Sequence, residues 1–339
     1  MKRPVVFVVM DGVGLSENTV GKAVKQAYTP TLDSLMKNIP YTSIQAHGVA
    51  VGLPSDDDMG NSEVGHNAIG CGQIYAQGAK LVNQSLESGE IFTSETWNKT
   101  MAQAQNSTLH FIGLLSDGNV HSHIDHLIAM VKQAKLSGVK KVRSHILLDG
   151  RDVPATSGLI YVEQLENLFK ELNDENFDAR IASGGGRMYV TMDRYDADWT
   201  MVERGWQTHV LGEGRQFTSA KEAIETYRTE GGYNDQYLPA FVIAENGEPL
   251  GKIVDGDAVI FNNFRGDRAI EITKAFEFAD KDFPYFDRKV RPNVFYAGML
   301  QYDGDLQIPT NYLVTPPRIK NTLSERLVAE GIKQYAISE

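Results

Sequence analysis

The feature that most constrains the fold of this 339-residue chain is a short, continuous apolar run that ends directly in a polar or glycine-containing loop, and it recurs along the sequence. Runs of this kind are typical of strands that are buried on both faces of a parallel sheet. The runs are VVFVVM before Asp11, LHFIGLL before Ser116, HILL before Asp149, RIAS before the GGGR of 184–187, and AVIFNNF before Arg265.

Amphipathic patterns with helical spacing separate several of these runs. Residues 124–138 and 157–172 place apolar side chains three and four positions apart, and Gly138 is positioned to end the first pattern. Alternating strands and helices predict an α/β fold with a mostly parallel sheet. Because ligands collect at the carboxyl ends of such strands, the polar residues after the runs are expected to share one edge of the sheet.

Composition narrows the class of protein and of partner. The length favours two domains, and the net charge of −11 disfavours nucleic-acid and membrane-surface partners, because both are polyanions. Cys71 is the only cysteine, which excludes a disulfide within the chain and favours a reducing compartment. The apolar run before Asp11 is too short for a signal peptide or a membrane span. A cytoplasmic protein that binds small molecules is the prediction.

Arginines lie in or beside the loops that follow the predicted strands. They are Arg151, Arg187, Arg194, Arg265 and Arg268. A single arginine in such a place is usually an exposed side chain, but five in matching positions indicate a site for phosphate or carboxylate. Arg265 and Arg268 would share one face if a helix began there.

The segment DGNVHSHIDHL concentrates histidines. His121, His123, Asp125 and His126 have residue types and spacing that suit a zinc or iron site. An equally supported interpretation has one histidine donating to a substrate phosphate. The least functional interpretation gives His123 a helix-capping role and His126 a place in helix packing.

Ser62 lies in the glycine-rich segment MGNSEVGHNAIG, and Asp11 follows the first apolar run. The GNSEVG stretch differs from the nucleophile elbow of α/β-hydrolases, and the sequence contains neither a P-loop nor a dinucleotide-binding fingerprint. A serine without an evident base can still be activated by a metal ion. Asp11 alone is a weak signal for an oxygen-ligated cation, and it gains weight only if it meets Ser62.

Six segments together resemble one family, the cofactor-independent (2,3-bisphosphoglycerate-independent) phosphoglycerate mutases. They are VVMDGVG, DDDMGNSEVGHNAIG, SDGNVHSHIDHL, LLDGRDVPATSG, GGGRMYVTMDRY and FNNFRGDRAIEI. The resemblance extends along the whole chain and is strongest to the plant-type branch. It implies interconversion of 3-phosphoglycerate and 2-phosphoglycerate through a phosphoserine, with two divalent metal ions (Mn²⁺ or Mg²⁺) and without 2,3-bisphosphoglycerate.

The resemblance also implies roles for individual residues. Ser62 is the phosphorylated nucleophile and a metal ligand, and Asp11 binds the same metal. The residues that match substrate-binding positions are His121, Arg151, Asp152, Arg187, Arg194, Arg265 and Arg268. Asp152 is in addition a catalytic candidate that carries a proton from or to the glycerate hydroxyls.

The implied architecture is an alkaline-phosphatase-like domain (1–75 and 313–339) interrupted by an inserted phosphotransferase domain (76–312), in a monomer. The two linkers between these domains are expected near IYAQGAK and NYLVTPP, and the final QYAIS is expected to be a strand. Family members continue past QYAISE with the remaining metal ligands. We therefore expect these 339 residues to be a segment of a longer chain, with an incomplete phosphatase-like domain and no activity alone. Two alternatives remain open: a metal-dependent phosphatase or phosphopentomutase-like relative, and a phosphoglycerate-binding fragment without catalysis.

Overall fold

The structure is a computed structural model that describes residues 4–13, 20, 23–316 and 319–337. Its strands are β1 Leu109–Leu115, β2 Lys141–Leu148, β3 Asp178–Gly186, β4 Arg215–Phe217, β5 Phe241–Glu245, β6 Glu248–Pro249, β7 Ala258–Phe261 and β8 Phe295–Gly298. They form one sheet in the order β4-β5-β3-β2-β1-β7-β8, and β6 pairs with β5 beside this path. Strand β1, an interior strand of this sheet, is buried along its whole length.

The sheet is predominantly parallel, which confirms the predicted fold class. The pairs β1–β2, β1–β7, β2–β3, β7–β8 and β4–β5 are parallel, whereas β5 is antiparallel to both β3 and β6. Parallel neighbours need a crossover connection, and the helical patterns predicted at 124–138 and 157–172 supply two of them.

The described helices are α1 Ala23–Gln26, α2 Pro30–Asn38, α3 Ser62–Cys71, α4 Gly78–Ser88, α5 Glu90–Thr93, α6 Glu95–Ala104, α7 Ile124–Leu136, α8 Gly158–Leu172, α9 Trp199–His209, α10 Ala220–Gly231, α11 Ile270–Glu277 and α12 Leu323–Ala329. Helices α7 and α8 confirm the two predicted helices. Gly138 follows α7 with φ +83°, a left-handed conformation that glycine adopts without strain. No described helix has the length and apolar character required to cross a bilayer.

Apolar side chains between Ala79 and Val314 form two large buried clusters, one on each face of the sheet. Phe111 of β1 belongs to the first cluster, and Ile112 beside it belongs to the second, because successive side chains of a strand point to opposite faces. Helices α7 and α8 contribute to the first cluster, whereas α9 and α11 contribute to the second. Such burial on both faces explains why the strands read as continuous apolar runs.

Strand β3 differs from its prediction because it continues through Gly184, Gly185 and Gly186, which we expected in a loop. The absence of side chains there allows close packing: a Cβ on Gly184 would lie 2.5 Å from Cζ of Phe241. The register against β2 shifts within the strand, so that Ser144 pairs with Ile181 but His145 pairs with Ser183. Ala182 is therefore the extra residue of a β-bulge.

Two predicted strands are not found. Residues 5–10 (VVFVVM) carry no strand assignment and are exposed, and residues 334–337 of the QYAIS segment are likewise not in a strand. Position 338 of that segment, and position 317 of the second predicted linker, lie outside the described residues. A third, small apolar cluster joins Val51, Leu53 and Val64. The domain boundaries after residues 75 and 312 stay a prediction.

Candidate active site

The loops after β1, β2, β3 and β7 carry the candidate substrate-binding residues. These four strands are neighbours in the order β3-β2-β1-β7, and they run parallel to one another. Their carboxyl ends therefore meet at one edge, as predicted. We call the group formed there by His121, Arg187, Arg194, Arg265 and Arg268 the arginine cluster.

Asp149, directly after β2, organises one side of the arginine cluster. Its buried carboxylate accepts a hydrogen bond from Ser116 Oγ at 2.6 Å and from Arg187 Nη1 at 2.8 Å. It also accepts the backbone amides of Arg151 at 3.1 Å and Asp152 at 3.0 Å, which fixes the turn that follows the strand. Arg187 Nη1 donates to the Asp152 carboxylate as well.

Asp267 organises the other side. Its carboxylate lies 3.2 Å from Arg265 Nε, 3.3 Å from Arg194 Nη1 and 3.6 Å from His121 Nδ1. Sequence reasoning missed the roles of both Asp149 and Asp267. The signal that could have found Asp149 is its position at a strand end, where an aspartate side chain can accept the amides of the next turn.

Arg265 and Arg268 do not lie on a helix, so the condition under which they would share a helix face is not met. Both precede α11, which begins at Ile270. The turn at 266–269 brings them together instead, and the buried Arg268 donates through Nη1 to the carbonyl oxygen of Met192 at 2.5 Å.

The arginine cluster contains more positive than negative charge. Burial lowers the pKa of Arg268 to about 10, and the nearby charges of Arg194 and Arg187 add to the effect. Burial, followed by the charges of Arg187 and Arg265, holds the pKa of His121 well below its ordinary value, so this imidazole is neutral. Its Nδ1 atom is buried without a hydrogen-bond partner. Crowded guanidinium groups next to an unused imidazole nitrogen favour an anionic ligand.

Arg151 is the most exposed of the five arginines. Its backbone amide is held by Asp149, and no ion pair of its guanidinium occurs within the part of the chain that the structure describes. The side chain is thus available at the rim of the arginine cluster.

The side chains of Ser62 and Asp11 are in contact. This contact was the condition under which Asp11 becomes a stronger candidate for a cation ligand. Ser62 Oγ donates to Asp11 Oδ2 at 2.6 Å. Ser62 is the first residue of α3, whose amino end is capped by the side chain of Asn61. The hydrogen bonds from Ser62 and from the Gly12 amide lower the pKa of the Asp11 carboxyl, so Asp11 is ionised at neutral pH.

The sequence showed no base beside Ser62, but the structure places His66 one helical turn later with its Nδ1 3.2 Å from Ser62 Oγ. The same nitrogen lies closer, at 2.8 Å, to the carbonyl oxygen of Ser62. His66 Nδ1–H therefore donates to that carbonyl, and Asp11 is the acceptor of the serine hydroxyl.

The serine site and the arginine cluster are in contact. Glu63, which follows Ser62, lies 3.9 Å from Arg265 Nε, and the side chain of Asn119 donates to Asp58 of the preceding acidic loop. Gln77 Nε2, in the first predicted linker, donates to the carbonyl oxygen of Val51 at 3.2 Å, in the 3₁₀ turn Gly48–Val51 that precedes the acidic residues 56–58. These contacts orient the amino end of α3 toward the arginine cluster.

The histidine segment divides as its least functional interpretation proposes. His123 caps α7 by accepting the Asp125 amide at 3.2 Å, and the buried His126 lies 2.6 Å from Asn83 Oδ1 and packs edge-on against Phe264. Only His121 joins the arginine cluster. The side chain of Asp125 is exposed on α7.

The oxygen donors Asp11 and Ser62 suit a hard divalent cation in type. Two donors do not complete a site, however, and within residues 4–13, 20, 23–316 and 319–337 no group of three histidine, cysteine, aspartate or glutamate side chains could hold a metal. Asp11 and Ser62 are thus candidate ligands that do not form a complete metal site among the described residues.

Comparison with known proteins gives consistent results. A family model described as BPG-independent PGAM N-terminus (iPGM_N) matches residues 82–304. A probable 2,3-bisphosphoglycerate-independent phosphoglycerate mutase of Leptospira interrogans is 57% identical over 99% of this chain and 62% of its own length. The corresponding mutase of Zea mays is 52% identical over 99% of this chain and 61% of its own length.

Among solved structures, a Leishmania mexicana phosphoglycerate mutase studied at low cobalt concentration matches with a TM-score of 0.90 and 50% identity. The match covers 95% of this chain and 59% of that one. The chain thus spans about three fifths of the length of these relatives.

Proposed function

Because this chain belongs to the family of 2,3-bisphosphoglycerate-independent phosphoglycerate mutases, we propose that its site interconverts 3-phosphoglycerate and 2-phosphoglycerate through a phosphoserine at Ser62. The observation that carries the proposal is the pairing of a serine–aspartate contact at a helix start with a cluster of arginines. Ser62 Oγ lies 2.6 Å from Asp11, and the next residue, Glu63, reaches Arg265.

The arginine cluster binds the anionic substrate in this proposal. Arg265, Arg268 and Arg194 neutralise the phosphate, and Arg151 at the rim holds the other end of the molecule. His121 is neutral, so its unused Nδ1 can donate or accept a hydrogen bond according to its tautomer.

Ser62 and Asp152 act on the reacting atoms. Asp11 accepts the hydrogen bond of the Ser62 hydroxyl and so directs the oxygen lone pairs away from itself, while the positive end of the α3 dipole favours a phosphoryl group there. When Ser62 Oγ attacks the phosphorus atom, the serine proton passes to the glycerate oxygen that loses the phosphoryl group, and the Asp152 carboxylate, held by Arg187, is the carrier. In the second half-reaction the glycerate hydroxyl that receives the phosphoryl group gives up its proton, which returns to Ser62 Oγ by the same carrier.

The proposal includes two divalent metal ions, Mn²⁺ or Mg²⁺, with Asp11 and Ser62 as ligands of one, and no 2,3-bisphosphoglycerate. A bound cation would stabilise the negative charge on the serine oxygen and on the transferred group. The proposal also describes a cytoplasmic monomer whose partner is a small-molecule substrate, with no nucleic-acid or membrane partner. The acidic net charge of −11 disfavours polyanionic partners, and the single cysteine favours a reducing compartment.

Calorimetric titration of the 339-residue chain with 3-phosphoglycerate tests the substrate. We expect saturable binding that weakens at least tenfold in Arg265→Ala, because a charge-assisted hydrogen bond is lost. Arg215→Ala is the matched control, since Arg215 is an exposed arginine of β4 that pairs with Glu230. Equal weakening in both variants, or no binding by the wild type, would contradict the proposal.

A further inference from the structure

A continuous chain of hydrogen bonds, which we call the histidine relay, joins side chains of the sheet to α9 and to the loop before it, and it takes no part in the mechanism above. It joins the side chains of Thr191, His209, Ser183, His145, His110 and Asp257, each of them at most 3% exposed. The five distances along it, in that order, are 3.0, 2.7, 2.7, 2.9 and 3.1 Å. Polar groups buried this deeply destabilise the fold unless each one is hydrogen-bonded. The presence of six such side chains in one connected chain therefore calls for an explanation.

The histidine relay crosses the sheet diagonally. Asp257 precedes β7 at the amino-terminal end of the sheet, whereas Thr191 follows β3 at the carboxyl-terminal edge that carries the arginine cluster. The bulge at Ala182 is what admits Ser183, because it places this residue, and not Ala182, opposite His145. The relay therefore depends on a specific irregularity of the strand and connects the two ends of the sheet.

Only one arrangement of protons satisfies the whole histidine relay with neutral imidazoles. The Asp257 carboxylate also accepts the amides of Thr108 and Val254, so it acts as an acceptor and His110 must donate to it through Nε2. His145 then donates through Nε2 to His110, Ser183 donates to His145, and His209 donates through Nδ1 to Ser183. His209 Nε2 is left as an acceptor, and Thr191 is the donor that fills it.

Burial supports this neutral arrangement. It is the main cause that lowers the pKa of His110, His145 and His209, and for His209 the pKa falls to about 3. For Asp257, burial alone would raise the pKa, but the hydrogen bonds from His110 and the Val254 amide lower it overall. The order of donors and acceptors along the histidine relay is therefore fixed at Asp257, and it ends with Thr191 as a donor.

Thr191 occupies a conformation that needs external support. Its φ is +71°, a left-handed value that is strongly unfavourable for a β-branched residue. Its amide donates to the carbonyl oxygen of Met201 at 2.8 Å, and α9 passes so close that a Cβ on Gly205 would lie 2.1 Å from Thr191 Oγ1. The next residue, Met192, presents the carbonyl oxygen that binds Arg268.

We propose that Thr191 is a positioning residue for the arginine cluster, and that its hydroxyl, oriented by the histidine relay from Asp257, holds the 187–194 loop so that Met192 fixes Arg268. The relay ends on the buried hydroxyl of Thr191, which fits a role in orientation and gives no route for protons to solvent. The identity of the bound anion rests on the proposed function, but the contact with Arg268 does not.

The test uses three variants of the 339-residue chain. Thr191→Val removes only the hydroxyl, and Thr191→Ser keeps it. Thr208→Val is the matched control, because Thr208 is an equally buried threonine of α9 whose hydroxyl donates to the carbonyl oxygen of Arg204 and stays outside the relay.

Two measurements are made on each variant. Side-chain ¹⁵N spectra report the imidazole nitrogens of His209 and the guanidinium of Arg268, and calorimetry reports the affinity for 3-phosphoglycerate. In Thr191→Val we expect altered His209 Nε2 and Arg268 signals, together with about tenfold weaker binding, which corresponds to one ordinary hydrogen bond. Thr191→Ser should restore both to within about twofold of wild type, and Thr208→Val should leave both unchanged.

Each failure has its own meaning. Unchanged Arg268 and His209 signals in Thr191→Val, or equal changes in Thr208→Val, would overturn the positioning role whatever the ligand. Absence of 3-phosphoglycerate binding by the wild type, with the Arg268 signal still dependent on the Thr191 hydroxyl, would overturn the proposed function and leave the positioning role supported.

Discussion

Two apolar runs of this chain, residues 5–10 and residues 109–115, look alike in sequence and differ completely in structure. Phe111 in the second run is 1% exposed, whereas Phe7 in the first is 66% exposed. Strand β1 has a hydrogen-bonded neighbour on each side, β2 and β7, and no described strand pairs with residues 5–10. An apolar run thus encodes a tendency to be buried, and its neighbours decide whether a strand forms.

The largest expected effect contrasts the same substitution in these two runs. Phe111→Ala should lower the free energy of unfolding by about 3 to 5 kcal/mol, because it empties a filled core position. Phe7→Ala should change it by less than about 0.5 kcal/mol, because the ring already contacts solvent. Urea denaturation measures both, and similar costs for the two variants would break the comparison.

A second contrast concerns the aspartates that follow two of the runs. Asp149→Asn should destabilise the chain by about 3 kcal/mol, because it leaves the buried Arg187 with a weaker partner, and it should also abolish 3-phosphoglycerate binding. Asp11→Asn, at an exposed position, should cost less than about 1 kcal/mol. Denaturation and calorimetry on both variants check this, and a costly Asp11→Asn would show that residues 4–13 are packed more firmly than their exposure indicates.

The third prediction uses pH to test the contrast between buried and exposed parts of the chain, at the buried carboxyl of Glu271. Burial, followed by the nearby charge of Asp193, raises the pKa of Glu271 from 4.5 to about 7. A carboxyl with a raised folded-state pKa contributes stability that is complete below its unfolded pKa and is lost as pH rises through the folded pKa. The titration of this group alone should therefore lower the free energy of unfolding by about 2 to 3 kcal/mol between pH 4.5 and pH 8.

Glu271→Gln should remove that loss, so the variant should gain stability relative to wild type as the pH rises. Glu175→Gln, at an exposed glutamate, serves as the control and should follow the wild type. Urea denaturation at several pH values makes the comparison. A wild type and a Glu271→Gln variant with parallel pH profiles would disprove the role of this carboxyl.

The same contrast explains what the sequence could predict. Strand β1 followed from its continuous apolar run, and helices α7 and α8 followed from helical periodicity, because each has neighbours that enforce the pattern. The arginine cluster followed from a general property of parallel sheets, since loops after neighbouring strands share an edge. Residues 5–10 have no partner strand among the described residues, and an apolar run alone carries no information about pairing.

Other features could not be predicted because they depend on contacts between distant loops. The role of Asp267 requires the loops of His121 and Arg194 to converge on it, and the role of Thr191 requires α9 to pass within contact distance. Gly184–Gly186 suggested a loop, whereas close packing of Gly184 against Phe241, of Gly185 against Val190 and of Gly186 against the backbone of 235–236 makes glycine the residue that fits inside the strand. In each case the residue type is clear from the sequence and its partner is not.

The central claim is that Ser62 accepts the phosphoryl group. The most direct measurement is mass spectrometry of the peptide that contains Ser62, after the protein purified from its own cells is quenched during turnover of 3-phosphoglycerate with Mn²⁺ and without 2,3-bisphosphoglycerate. We expect a phosphoryl group on Ser62 in the wild type, and in Ser62→Ala we expect neither the modification nor turnover, with substrate binding retained. Turnover by Ser62→Ala, or by a wild type whose Ser62 is never modified, would contradict the account.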